Sequence, residues 1–221
     1  MFDCRDPATR DSSVDIAITK LRRGRVAVLP DDALYLMAAD AFSDAGVTRI
    51  RYLKNRDDAP LSVLIGAPAT VDGIATRIAP WARDLMHALW PGPLTLVLRR
   101  QPSLVWPLGG SGVSVRMPLH PVTLAVVRAL GPTAVTSANR PGLAPATTCE
   151  EVHDQFDRDL DLYLDTGPAP FAYRSTIVDC TGDHPILLRP GEVSADSIEQ
   201  IAGSVEVGSV VERPGGPESA R

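Results

Sequence analysis

Lysine is scarce in this 221-residue chain, paired cysteine is missing, and no long apolar run occurs. Each absence excludes something. Cys4, Cys149 and Cys180 are odd in number and widely separated, without the close pairs that zinc or redox motifs need, which suits a reducing, cytoplasmic setting. No stretch reaches the about 18 apolar residues that span a bilayer, and residues 1–15 are too charged for a signal peptide, so no membrane partner is expected. The net charge of −5 provides no global basic field; nucleic-acid binding would have to come from a local groove of arginines. His87, His120, His153 and His184 show neither metal spacing nor a nucleophile partner. There is no GxxxxGK[ST] loop, no GxGxxG after a strand and no GxSxG elbow. A nucleotide would therefore have to be held by some other device.

With 44% hydrophobic and 22% charged residues, the composition is that of one globular domain. That domain is expected over residues 1–202, with a flexible tail over 203–221, where glycine and proline replace large apolar residues. Ser12 and Ser13 can cap a first helix that carries Ile16, Ala17 and Leu21 on one face and stops at Gly24; a strand over 25–29 then ends at Pro30. After a loop over 31–35, helices are predicted over 44–53, 71–78, 80–89, 121–130, 149–156 and 194–202. Strands are predicted over 62–65, 94–98, 113–116, 133–136, 162–164, 175–179 and 186–188. This alternation predicts an α/β fold with a mixed sheet.

Only Lys20 and Lys54 are lysines, yet Lys54 stands beside Arg56 at the end of a predicted helix. A compact ammonium and a planar guanidinium do different jobs, although a cation at a helix end also compensates the macrodipole. Other candidate anion cradles are Gly109 to Gly112, Ser137-Ala138-Asn139, Ser175-Thr176 and Arg189-Pro190-Gly191, each of which read alone is also an ordinary turn. Asp57 and Asp58 could hold magnesium with a nucleotide or form a solvated loop, and no metal ligand set is fixed by the sequence.

Together these segments resemble the Sua5/YrdC/YciO family, which includes threonylcarbamoyl-AMP synthases. The resemblance runs from Arg25 to Gly191. It is carried by Pro30 with Asp32 and Tyr35, Lys54-Asn55-Arg56 with Pro60-Leu61, and Trp90-Pro91-Gly92-Pro93-Leu94-Thr95. It continues through Val115-Arg116-Met117-Pro118 with His120, Ser137-Ala138-Asn139 with Gly142, Ser175-Thr176-Ile177-Val178-Asp179 and Leu188-Arg189-Pro190-Gly191.

The resemblance implies a twisted α/β sheet flanked by helices, with a concave, positively lined cavity. It implies a reaction that joins bicarbonate, L-threonine and ATP, with magnesium on the ATP, into a carbamoyl-adenylate. Lys54 and Arg56 would be catalytic; with Arg189 they would neutralise phosphate oxygens, while Ser137, Asn139 and Ser175 would direct hydrogen bonds to the nucleotide. Asp31, Ala33, Tyr35, Arg116 and His120 would form the amine pocket. The adenylate would pass to a separate transferase acting on a tRNA adenosine.

The family pattern Pro-Thr-Asp-Thr-x-Tyr-Gly reads here Pro30-Asp31-Asp32-Ala33-Leu34-Tyr35-Leu36, so two hydroxyls and a glycine are gone. The serine expected after Ser-Ala-Asn-x is Pro141, and Arg174 precedes Ser175. Asp31 could pair with a cationic group on a different amine, which keeps open a specialised paralogue that uses another amine or carbamoyl phosphate. A binding module for nucleotide or RNA without turnover is the further alternative. The chain is also expected to lack the additional C-terminal domain of longer Sua5 proteins.

Overall fold

The computed structural model describes residues 1–55, 61–171 and 173–208. After a short strand β1 (Phe2–Asp3), the first helix begins earlier than the serine pair suggests. Asp6 caps α1 (Pro7–Arg22), its carboxylate accepting the Ala8 amide at 2.9 Å, with Pro7 preset for the first helical position. Ser13 instead donates its hydroxyl to the Thr9 carbonyl inside the helix. The buried stripe of α1 is Val14, Ala17, Ile18 and Leu21; Ile16, expected on that face, is 37% exposed.

β2 (Ala27–Pro30) follows, and then β3 (Tyr35–Asp40) occupies a stretch without a predicted strand. Next come α2 (Asp44–Leu53), capped by the Ser43 hydroxyl accepting the Gly46 amide, and β4 (Ser62–Leu64). Helix α3 (Val71–Ile74) stops short of residue 78 because Ala75 is already extended. The chain continues through α4 (Pro80–Leu89), β5 (Leu94–Arg99), β6 (Gly112–Arg116), α5 (Pro121–Leu130) and β7 (Thr133–Ser137). A capping box between Thr148 and Glu151 opens α6 (Cys149–Phe156). After it come β8 (Leu162–Asp165), β9 (Thr176–Asp179), β10 (Ile186–Arg189), α7 (Ala195–Ala202) and β11 (Glu206–Val207). β11 pairs parallel with β10, so the segment expected as a tail still adds a strand before residue 208; residues 209–221 lie outside the described part.

The strands form one mixed sheet in the order β1-β8-β2-β3-β7-β4-β6-β5-β9-β10-β11. Period-two alternation sorts its side chains onto two faces. Val28, Met37, Val63, Ala134, Val115, Leu94, Leu96, Val178 and Leu187 point to one face, where α2, α4, α6 and α7 cover them in a continuous core. On the other face, α1 and α5 pack over the end of the sheet that holds β8, β2 and β3, around Ala27, Leu29, Ala38 and Leu162. Leu36, Ser62, Leu64, Thr95, Arg116, Val135, Ser137 and Ile177 share that second face by alternation, and they line a cavity beside the two helices. The cavity floor is thus the part of the sheet that α1 and α5 leave uncovered.

Candidate functional site

The cavity has a volume of about 340 Å³, within the range of small-molecule sites. Among the described residues its wall carries five cationic side chains, Arg51, Lys54, Arg116, Arg174 and Arg189, against the two acids Asp31 and Asp32.

Lys54 caps the end of α2 and is buried at 6% exposure. Its ammonium donates to the Ser137 carbonyl at 3.0 Å, to the Asn139 carbonyl at 2.6 Å and to Asn139 Oδ1 at 3.0 Å. An ammonium has three protons, so Lys54 binds the end of β7 to the end of α2 and shapes the Ser137 to Asn139 turn. Asn139 carries the tie further, its amide donating to the Leu143 carbonyl at 2.6 Å. Arg189 plays a similar part across the cavity, with Nε and Nη2 donating to the Ser175 carbonyl at 3.1 and 2.8 Å. Gly191 allows this turn to close: a Cβ there would meet the Arg174 carbonyl oxygen at 2.3 Å and the Thr176 nitrogen at 2.6 Å. The Arg-Pro-Gly glycine therefore serves close backbone approach.

Arg116 is the centre of a buried cluster. Nη2 donates to Asp31 Oδ2, Nη1 donates to Asp32 Oδ2 at 3.1 Å, and Asp32 Oδ2 also accepts the Leu119 amide at 3.3 Å. Burial works against the charge of Arg116, but the two aspartates outweigh it and raise its pKa. Burial raises the Asp32 carboxyl, Asp31 adds to the rise, and Arg116 offsets only part of it. Asp31 Oδ1 is buried without a hydrogen-bond partner among the described residues. Phe171 and Tyr173 stack at 5.3 Å beside this cluster, with the Phe171 amide donating to the Asp32 carbonyl at 3.2 Å.

Of the residues singled out in the sequence, Asp31, Ala33, Lys54, Arg116, Ser137, Ser175 and Arg189 line the cavity. Tyr35, His120 and Asn139 are not among its lining residues. Tyr35 is wholly buried, donating its hydroxyl to the Gly167 carbonyl at 2.6 Å and accepting the Thr166 amide at 3.2 Å, so it braces the segment after β8. His120 precedes α5 and its Nε2 lies 3.4 Å from Thr166 Oγ1. Arg56, Asp57, Asp58 and Pro60 lie outside the described residues. Among those described, no cluster of three acidic, histidine or cysteine side chains suits a metal, and both cavity acids are held by Arg116.

Burial lowers the pKa of His120 below its ordinary 6.5, with Asp31 opposing the shift. The unfolded chain then takes up a proton that the folded chain refuses. Stability contributed by neutral His120 is present above about pH 6.5 and falls as pH drops below it. Thermal unfolding from pH 7 to pH 5 checks this: His120→Gln is expected to reduce the acid slope, and an unchanged slope would refute the assignment.

Two polar residues of the wall were absent from the sequence reading. Arg51 sits three positions before Lys54 in the last turn of α2, a spacing that places both on one helix face and could have revealed it. Tyr173 had no such signal, since it lies in an irregular connection between β8 and β9.

Comparisons with known proteins converge on one family. The Sua5/yciO/yrdC family profile, described as telomere recombination, matches residues 19–191. A Mycobacterium tuberculosis protein is 40% identical over 205 residues, 91% of this chain and 94% of its own length. The Bacillus subtilis threonylcarbamoyl-AMP synthase is 34% identical over 205 residues, which cover 90% of this chain and 59% of that protein. The Pyrococcus abyssi Sua5 complexed with L-threonine matches with a TM-score of 0.86 at 30% identity, over 94% of this chain and 62% of that one. With that profile covering β2 to β10, and so every described strand that lines the cavity, this chain belongs to the Sua5/YciO/YrdC family.

Proposed function

We propose that this chain is a nucleotidyltransferase that makes a carbamoyl-adenylate, L-threonylcarbamoyl-AMP, from ATP, bicarbonate and L-threonine in the cytoplasm. The observation that carries the reading is the match of fold, over 94% of this chain and 62% of the other, to a Sua5 complexed with L-threonine, together with a cavity that has a cationic wall. In the reaction, the amine nitrogen forms a bond to the bicarbonate carbon, and water leaves to give a carbamate. A carbamate oxygen then bonds to the α-phosphorus, the bond from that phosphorus to its β-bridging oxygen breaks, and pyrophosphate departs with the electron pair.

The chain's own residues fix the geometry. Lys54 and Arg189 hold the two turns that present Ser137 and Ser175 to the cavity. A wall with five cations favours the dense negative charge of ATP, brought in with magnesium, and of the departing pyrophosphate. Mass spectrometry of the nucleotide products, with and without bicarbonate and L-threonine, tests the reading. Threonylcarbamoyl-AMP with one equivalent of pyrophosphate is expected; ATP left intact with every amine would refute it. The product would then pass to a separate carbamoyl-transferring enzyme.

One observation favours a second reading, in which the amine is not threonine. Both terminal nitrogens of Arg116 already bind carboxylates, and Asp31 keeps a second, unpartnered oxygen, so the wall suits a cation better than an amino-acid carboxylate. Activity with threonine that rises in the Asp31→Thr, Ala33→Thr double variant would support this reading. Full threonine activity in the unaltered protein would sink it.

A further inference from the structure

We infer that Arg51, assisted by Arg174, binds the departing pyrophosphate portion of the nucleotide. This assignment rests on the reading of the cavity as an ATP site, and it differs from one based on Lys54 and Arg189.

The five cavity cations divide by what they hold. Lys54 donates to the Ser137 and Asn139 carbonyls, Arg189 to the Ser175 carbonyl, and Arg116 to two carboxylates. The side chains of Arg51 and Arg174 make no hydrogen bond or ion pair with any described residue. Arg174 is exposed, which makes its lack of partners unremarkable by itself; Arg51 is half-buried, and its Nε is enclosed with no acceptor among the described residues. An enclosed guanidinium N–H without an acceptor is costly, and natural proteins leave few of them. An anion in the cavity would meet the terminal guanidinium nitrogens, which hold no acceptor among the described residues.

The backbone makes room for such an anion-binding group. Gly109 and Gly110, between β5 and β6, have φ of +71° and +74°, a region that favours glycine. Arg51 Nη2 lies 3.5 Å from where a Gly109 Cβ would stand, so the guanidinium runs directly against the glycine pair. Arg174 reaches the cavity from the connection between β8 and β9, where the Glu192 amide fixes its carbonyl at 3.0 Å. Two guanidiniums from separate elements suit a pyrophosphate, because a planar fork matches phosphate oxygens bidentately. Charge accumulates on the leaving oxygen as the α-phosphorus bond breaks, and donors placed there act on the transition state as well as on binding.

Calorimetric binding of inorganic pyrophosphate to the native protein, Arg51→Gln and Arg174→Gln provides the test, with unfolding temperatures to verify folding. Arg51→Gln is expected to weaken pyrophosphate binding about tenfold or more, from the loss of a charge-assisted hydrogen-bonding group. A smaller loss is expected for the exposed Arg174, partial recovery for Arg51→Lys, and an unchanged KM for the amine. Pyrophosphate affinity within about twofold of native in both Gln variants would overturn the inference, as would no binding to the native protein. The two readings separate cleanly. Binding that depends on Arg51, in a protein that makes no adenylate, upholds this inference and removes the proposed reaction; adenylate synthesis with Arg51-independent pyrophosphate binding does the reverse.

Discussion

Replacing Arg116 with methionine is expected to cost about 3–5 kcal/mol of folding stability at neutral pH, because it strands Asp31 and Asp32 as buried carboxylates without their counter-charge. For a domain of this size that corresponds to a fall of roughly 10 °C in unfolding temperature. The deficit should shrink in acid. Burial raises the Asp32 carboxyl and the variant lacks the Arg116 charge that offsets part of the rise, so the folded variant retains a proton that the unfolded chain has released. Stability is therefore lost as pH rises through the folded values and regained below the unfolded ones. Burial already raises Asp32 from its ordinary 3.8 with Arg116 present, which fixes the direction. Urea unfolding at several pH values measures the effect, and Asp31→Asn with Asp32→Asn should recover much of the loss in the Arg116→Met background. Native-like stability of Arg116→Met at pH 7 would contradict the buried-cluster account.

Lys54→Met is expected to damage fold and reaction together. It leaves the buried Asn139 carbonyl and Oδ1 without their shared donor, at about 1–3 kcal/mol for each unsatisfied group, while the Ser137 carbonyl keeps the Asn139 amide. A loss near 3 kcal/mol lowers the unfolding temperature by about 6–12 °C. Carbamoyl-adenylate formation should fall further than stability alone explains, since the turn that presents Ser137 is no longer fixed. A lysine that only neutralised a bound phosphate would leave the ligand-free protein as stable as before. Thermal unfolding without nucleotide, beside turnover at a temperature where the variant is folded, separates the two roles.

Local rules were legible along most of the chain. Alternation around Val113 and Val115 gave a half-buried strand, which the structure places with Arg116 on the cavity face and the valines in the core. The helices predicted over 121–130 and 194–202 are both retained, the second starting one residue later because Ser194 is its cap. Where the reading missed, a competing signal was present. Asp6-Pro7 is a stronger start signal than Ser12-Ser13, because an aspartate that accepts an amide and a proline with no amide both suit the first turn. β3 escaped because Leu36, Met37, Ala38 and Ala39 are buried on both faces, which erases the alternation that identifies a strand.

By itself the sequence determined the alternating α/β order, the family motifs and the altered stretch from Asp31 to Leu36, since each is a property of neighbouring residues or their order. Only the tertiary structure decided what the charges do. Lys54 meets Asn139 across 85 positions and Arg116 meets Asp31 across another 85, and no local pattern encodes such partners. Their meeting depends on strand order: β7 lies between β3 and β4, and β6 lies beside β4, which brings the ends of four distant segments around one cavity. Two cations prominent in the sequence thereby became braces for turns, and Arg51, which carried no motif, was left lining the cavity without a side-chain acceptor among the described residues, because a buried charge takes its role from the partners that the fold brings within reach.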